Sequence, residues 1–227
     1  MYDLDKSCQG FTFQAFIAGA DGKPVPVDGG AQVREAEDIF IEKVNWMLRG
    51  RPDLLQLLGC LDHALDVRFH CGTGFFDEDG HVYFYGRVTH TGDGLQMDIA
   101  TDEVLEGGRE GHEVLDVVIH EVTHVLDMVD EEGEDGLLPF WTDDDRARYA
   151  RLREAEKAAI AAGESALDHY ALTSDLEFLA VAVETFFVLP VELQMSSPGL
   201  YELFADYFAV DAQHQATTLA MMHPVVV

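Results

Sequence analysis

The chain has 227 residues, 48% of them hydrophobic, enough to bury a substantial core within one domain. Its 43 acidic residues against 14 Lys and Arg leave a formal charge of −29, a field that repels phosphate backbones and anionic lipid and so argues against nucleic-acid or membrane partners. No run approaches the roughly 20 apolar residues of a membrane span, and the first twenty residues lack the basic start of a secretory signal.

Cys8, Cys60 and Cys71 are widely spaced and form no CxxC, so the chain reads as cytoplasmic with reduced thiols. In chain order, FTFQAFIA (11–18) alternates like a short strand, and DGKPVPVDGG (21–30) has the Gly and Pro of a loop. Arg34 to Leu48 places Ile39, Val44 and Leu48 at helical spacing, and RPDLLQLLGCL (51–61) predicts a second, shorter helix. LDVRFHC (65–71) and HVYFYGRV (81–88) have the β-branched and aromatic residues of strands, with a turn between them, and LQMDIA (95–100) alternates again. Helices follow at 114–129, 143–162, 175–188 and 198–210, with a loop at 130–141. The expectation is a single α+β domain over 1–227. Residues 1–110 would supply helices and a small, mostly antiparallel sheet packed against the 114–129 helix, and 111–227 a helical half.

The stretch HEVTH (120–124) carries the chemistry. Residues four apart lie one above the other on a helix, so His120 and His124 can present both imidazoles to one ion, and neutral imidazole suits Zn²⁺. Glu121 falls beside that face, where it can bond a water without occupying the metal, the arrangement of two ligands and a general base. Leu115, Val118, Val122, Val125 and Val129 form a stripe expected to face the core, with His120, His124 and Asp127 on the opposite side.

A catalytic zinc takes three protein ligands, and two residues compete for the third place. Asp130 lies ten residues after His120, but the intervening position where the chain would turn sharply holds Asp127 rather than glycine. Glu177 lies on the 175–188 helix, where Ser174-x-x-Glu177 also matches a capping box. A cap leaves Glu184, two turns further among apolar residues, without a reason. A metal site explains both, with Glu177 as ligand and Glu184 orienting a histidine, and Glu177 is favoured.

HEVTHVLDMVDEEGEDGLLP together with DHYALTSDLEFLAVAVETFFVLPVEL resembles the Mlc titration factor A (MtfA) peptidases, bacterial zinc metallopeptidases whose catalytic domain is similar to that of anthrax lethal factor. The resemblance covers roughly residues 113 to 208 and implies a gluzincin-like fold. Carried over by position, it makes His120, His124 and Glu177 the zinc ligands and Glu121 the general base. It places Tyr170 where the family has a tyrosine thought to stabilise the transition state, and Asp127 beside the ligands. Asp175-Leu176 stands where the family has Pro-Ala before the ligand glutamate.

The resulting expectation is hydrolysis of a peptide or protein substrate by a zinc-activated water. The alternative is a regulatory protein that captures a transcription regulator, its metal site structural or vestigial; an intact Glu121 argues against it, because a structural site needs no base. The acids of DEEGEDG do not follow a calcium-loop spacing and read as a solvated loop. His63, His70, His81, His90 and His112 read as ordinary surface or core residues.

Overall fold

In the computed structural model, residues 11–19, 23–59, 64–77, 81–106, 115–129 and 135–210 are described. Asp130, most of the acidic loop, His63, His112, Cys8 and Cys60 lie outside these residues. Internal contacts divide the chain into two units, Met1–Glu110 with Asp116–Glu121, and Gly111–Leu115 with Val122–Val227.

The first unit is built on a five-stranded sheet in the order β2-β1-β3-β7-β6, from β1 (Phe11–Ala18), β2 (Pro24–Val27), β3 (Leu65–His70), β6 (Gly86–Thr91) and β7 (Gly94–Ala100). β1 pairs parallel with β3, and β3 parallel with β7; only the outer strands β2 and β6 run antiparallel to their neighbours. The expected mostly antiparallel sheet is therefore corrected to a mixed sheet with a parallel centre. The physical reason lies between the strands. Helices α1 (Ala31–Leu48) and α2 (Pro52–Gly59) connect β1–β2 to β3, a crossover long enough to bring the chain back in the same direction.

β2 occupies what the composition reads as loop. Prolines are tolerated there because β2 is an edge strand; with Val25 and Val27 paired to Ile17 and Ala15, the positions lacking N–H face outward. The expected 81–88 strand is broken at Tyr85, and the turn before it holds β4 (Phe75–Phe76). β4 pairs with β5 (Tyr83–Phe84) in a separate two-stranded ribbon.

α1 buries Val33, Ala36, Phe40, Val44, Met47 and Leu48, so Val44 and Leu48 lie on the core face as expected while Ile39 is only half-buried. Phe40 meets Phe11, Phe13 and Phe69 edge-on at 6.1, 6.1 and 6.3 Å, joining the helix to β1 and β3. On that face Val67, Phe69, Met97 and Ile99 are inaccessible; the alternate residues Asp66, Arg68, His70, Gln96 and Asp98 lie on the opposite one. β7 leads into α3 (Thr101–Glu106), a short helix with no counterpart in the sequence pattern.

α4 (Val117–Met128) is shared by both units. It starts three residues later than expected, after Asp116, whose Oδ1 accepts the N–H groups of Val118 and Ile119 at 3.1 and 3.2 Å. Its polar side is not solvated: every residue from Val117 to Asp127 is buried.

The second unit is helical. α5 (Asp143–Ala162) opens on a capping box between Thr142 and Asp145 and closes on Gly163 at φ 73°. α6 (Asp175–Val188) buries every residue from Phe178 to Phe187. Prolines at the first positions of α7 (Pro190–Ser196) and α8 (Pro198–Phe208) divide the chain beyond α6 into two helices, the first of them unforeseen. Phe186, Phe187, Phe204 and Phe208 pack as one aromatic cluster, and Tyr207 Oη donates to Pro139 O at 3.0 Å. None of the described helices is long and apolar enough to cross a membrane.

Candidate metal centre

His120 and His124 lie one turn apart on α4, both buried, and Glu177 stands at the first turn of α6. Their potential ligand atoms all lie within 4.8 Å of one another. Among the described residues no other group of His, Cys, Asp and Glu comes together in this way.

The local chemistry at Glu177 separates the two readings of Ser174-x-x-Glu177. Ser174 Oγ accepts the Glu177 N–H at 3.0 Å, so the backbone half of the cap forms. The glutamate side chain instead faces His124, with Oε2 3.5 Å from Nε2. That spacing is long for a hydrogen bond. It is close to the roughly 3.4 Å between two donors that each sit about 2.1 Å from a tetrahedral ion. Two imidazoles and a carboxylate form a donor set that suits zinc, and the separation fits it.

Glu121 is 4% exposed and lies against the first residue of β6. A Cβ at Gly86 would stand 2.6 Å from Glu121 Cγ and 2.7 Å from Cδ, so only glycine leaves room for the carboxylate where it is. LQMDIA is the inner strand β7; the strand touching Glu121 is its neighbour β6.

Asp127 is buried near the end of α4 and accepts the Leu137 N–H at 2.9 Å. Burial pushes its carboxyl up to about 6; the Leu137 N–H pulls the other way, and the neighbouring Asp135 charge adds to the rise. Glu184 is buried on α6, against a cavity of about 200 Å³ that also touches Leu115, Leu167 and Thr185. Tyr170 is half-buried in a 3₁₀ turn (His169–Leu172) that packs against α5 and α6; the Asp168 carboxylate caps the turn by accepting the Tyr170 N–H at 2.8 Å.

Two supporting groups have no signal, or little, in a local sequence pattern. Lys43 of α1 and Asp116, both buried, meet at 2.7 Å and anchor the start of α4 one turn before His120. Gly86 had a weak signal, since a glycine inside a strand pattern marks close backbone approach.

The family model of the glucose-regulated metallo-peptidase M90 matches residues 73–209, extending upstream of the resemblance into the β4–β7 strands. An uncharacterized protein from Synechocystis sp. (strain ATCC 27184 / PCC 6803 / Kazusa) is 30% identical over 112 residues, 47% of this chain and 39% of that relative. The chain thus spans well under two thirds of that relative's length. With more than half of its residues matched, the chain belongs to the glucose-regulated metallo-peptidase M90 family.

Proposed function

We propose that this protein is a zinc-dependent peptidase that holds the metal through His120, His124 and Glu177. The observation that carries the reading is the convergence of those three side chains, with the Glu177 carboxylate turned to His124 rather than to its own helix terminus. Zinc bound there supplies Lewis acidity and brings the pKa of a coordinated water toward neutrality.

The chain's own residues supply the proton path and the positioning. Glu121, next to His120 and set against Gly86, takes the proton of the attacking water and returns it to the leaving amine. The Tyr170 hydroxyl donates to the oxygen on which negative charge develops, its backbone held by the Asp168 cap. Asp127 ties the end of α4 to the Leu137 segment, and Glu184, buried on α6, is assigned the role of an acceptor that orients a histidine. A peptide suits the neighbouring strand: among the described residues β6 pairs only with β7, so its outer edge can take an extended chain.

The test uses two variants of the full chain, with metal content and peptide-library digestion measured on each. Glu121→Gln should retain zinc and lose hydrolysis by at least about a hundredfold. Glu177→Ala should release zinc. Full activity in Glu121→Gln overturns the mechanism. Zinc held by the parent protein with no turnover of any peptide would favour the regulatory reading, in which the same surface binds a transcription regulator.

A further inference from the structure

The first unit contains a second polar centre that the peptidase reading does not use. His70 and Asp98, 8% and 3% exposed, face each other from β3 and β7 with His70 Nε2 2.7 Å from Asp98 Oδ1. Gln96 Nε2 donates to Asp98 Oδ2 at 2.6 Å, and Arg87 stands 3.5 Å away. Burial opposes ionisation of Asp98, but these hydrogen bonds and the nearby charges outweigh it and hold the carboxyl below its usual range. A carboxylate oxygen can only accept, so Nε2 carries the hydrogen of this contact and Nδ1 is the ring's other polar atom.

The His70 ring stacks on Phe75 at 4.2 Å and on Phe16 at 5.7 Å. With its faces stacked and Nε2 committed, the edge that His70 offers is the one bearing Nδ1. His70 borders a cavity of about 290 Å³, lined also by Pro24, Cys71, Phe75, Phe76 and Tyr83. The size suits one ring rather than an extended ligand. Burial and the Asp102 charge push the Cys71 thiol up, which keeps that side chain uncharged. The Tyr83 ring is held across Gly74 by the contact between its hydroxyl and Thr73 Oγ1 at 3.0 Å. At the cavity, Phe76 and Tyr83 are 54% and 43% exposed, an apolar rim on a chain of net charge −29.

We infer that this cavity is an anchor pocket for the side chain of a tyrosine or tryptophan in a bound peptide. The ring enters between Phe75 and Tyr83, its O–H or N–H donates to His70 Nδ1, and apolar neighbours in the peptide cover the rim. The rim favours a peptide over a free aromatic molecule, because a ring filling the cavity alone would leave the exposed part of Phe76 uncovered.

The probes are N-acetyl-tyrosinamide and N-acetyl-phenylalaninamide, titrated into the full chain while the His70 ring protons are followed by NMR. Both should saturate, the tyrosine amide about tenfold more tightly, since only its hydroxyl can hydrogen-bond the His70 ring nitrogen. His70→Phe keeps the stack and should bring the two affinities together. Gly74→Ala, whose methyl would lie within 2.5 Å of the Tyr83 ring and hydroxyl, should weaken both at least tenfold. Failure of either amide to saturate, or a tyrosine preference that survives His70→Phe, overturns the proposal. Chelating the metal should change nothing; loss of binding on chelation would put the ligand at α4 and also overturn it. Concentration-dependent self-association without amide binding would give this face to a second copy of the chain instead.

Discussion

A methyl group at Gly86 would fall on the Glu121 side chain, so Gly86→Ala acts on a carboxylate that can swing away rather than on rigid backbone. The expected result is a protein of nearly unchanged stability and metal content whose hydrolysis falls about a hundredfold, because the base is displaced by about an ångström. Stability, zinc content and kcat measured together check it; unchanged kcat would detach Glu121 from the chemistry. Asp127 gives a pH prediction for protein stripped of metal. Its folded pKa, about 6, lies above its ordinary 3.8, so its contribution is undiminished below that ordinary value and is lost as pH rises through 6. The penalty at neutral pH is on the order of 3 kcal/mol. Asp127→Asn keeps an acceptor for the Leu137 N–H and should be more stable than the parent at pH 8, by a margin that shrinks at pH 5. Urea denaturation at the two pH values reads this, and an equal margin at both would remove the assigned cause.

At the scale of elements, α4 is held at its start by a buried ion pair. Removing one partner leaves the other charged and buried, which costs about 3–5 kcal/mol. Lys43→Met should lower stability by that order, and Lys43→Met combined with Asp116→Leu should cost less than the two single changes summed. A strictly additive pair would show that Lys43 and Asp116 do not couple. The helices were readable wherever local chemistry sets them. Thr142 with three acids opens α5 and Gly163 ends it, and the apolar run of α6 is bounded at both ends as expected. α7 and β2 were not, because prolines read as breaks; Pro190 starts a helix and Pro24 and Pro26 lie on an edge where their missing N–H costs nothing. The parallel centre of the sheet escaped too: alternation along β1, β3 and β7 is the same for either direction, and direction is set by the crossover.

For the whole molecule, 29 uncompensated negative charges repel one another more in the compact state than in the unfolded chain. The Debye length falls from about 10 Å at 0.1 M salt to about 3 Å at 1 M. Tm should therefore rise by several degrees between those NaCl concentrations, and a flat or falling Tm by calorimetry would show that ion pairs such as Lys157–Asp175 and Arg153–Asp175 outweigh the repulsion.

The sequence by itself determined the helical spacing of His120, Glu121 and His124 and pointed to the family, because a motif and its periodicity are local properties of the chain; for the third place it offered Asp130 and Glu177 and favoured Glu177. What only the tertiary structure decided is which way the Glu177 carboxylate turns, what stands against Glu121, and that His70 meets Asp98 beside an aromatic cavity. Each of these is a contact between residues 28 or more positions apart, and such contacts are set by packing and strand register rather than by any neighbouring residue.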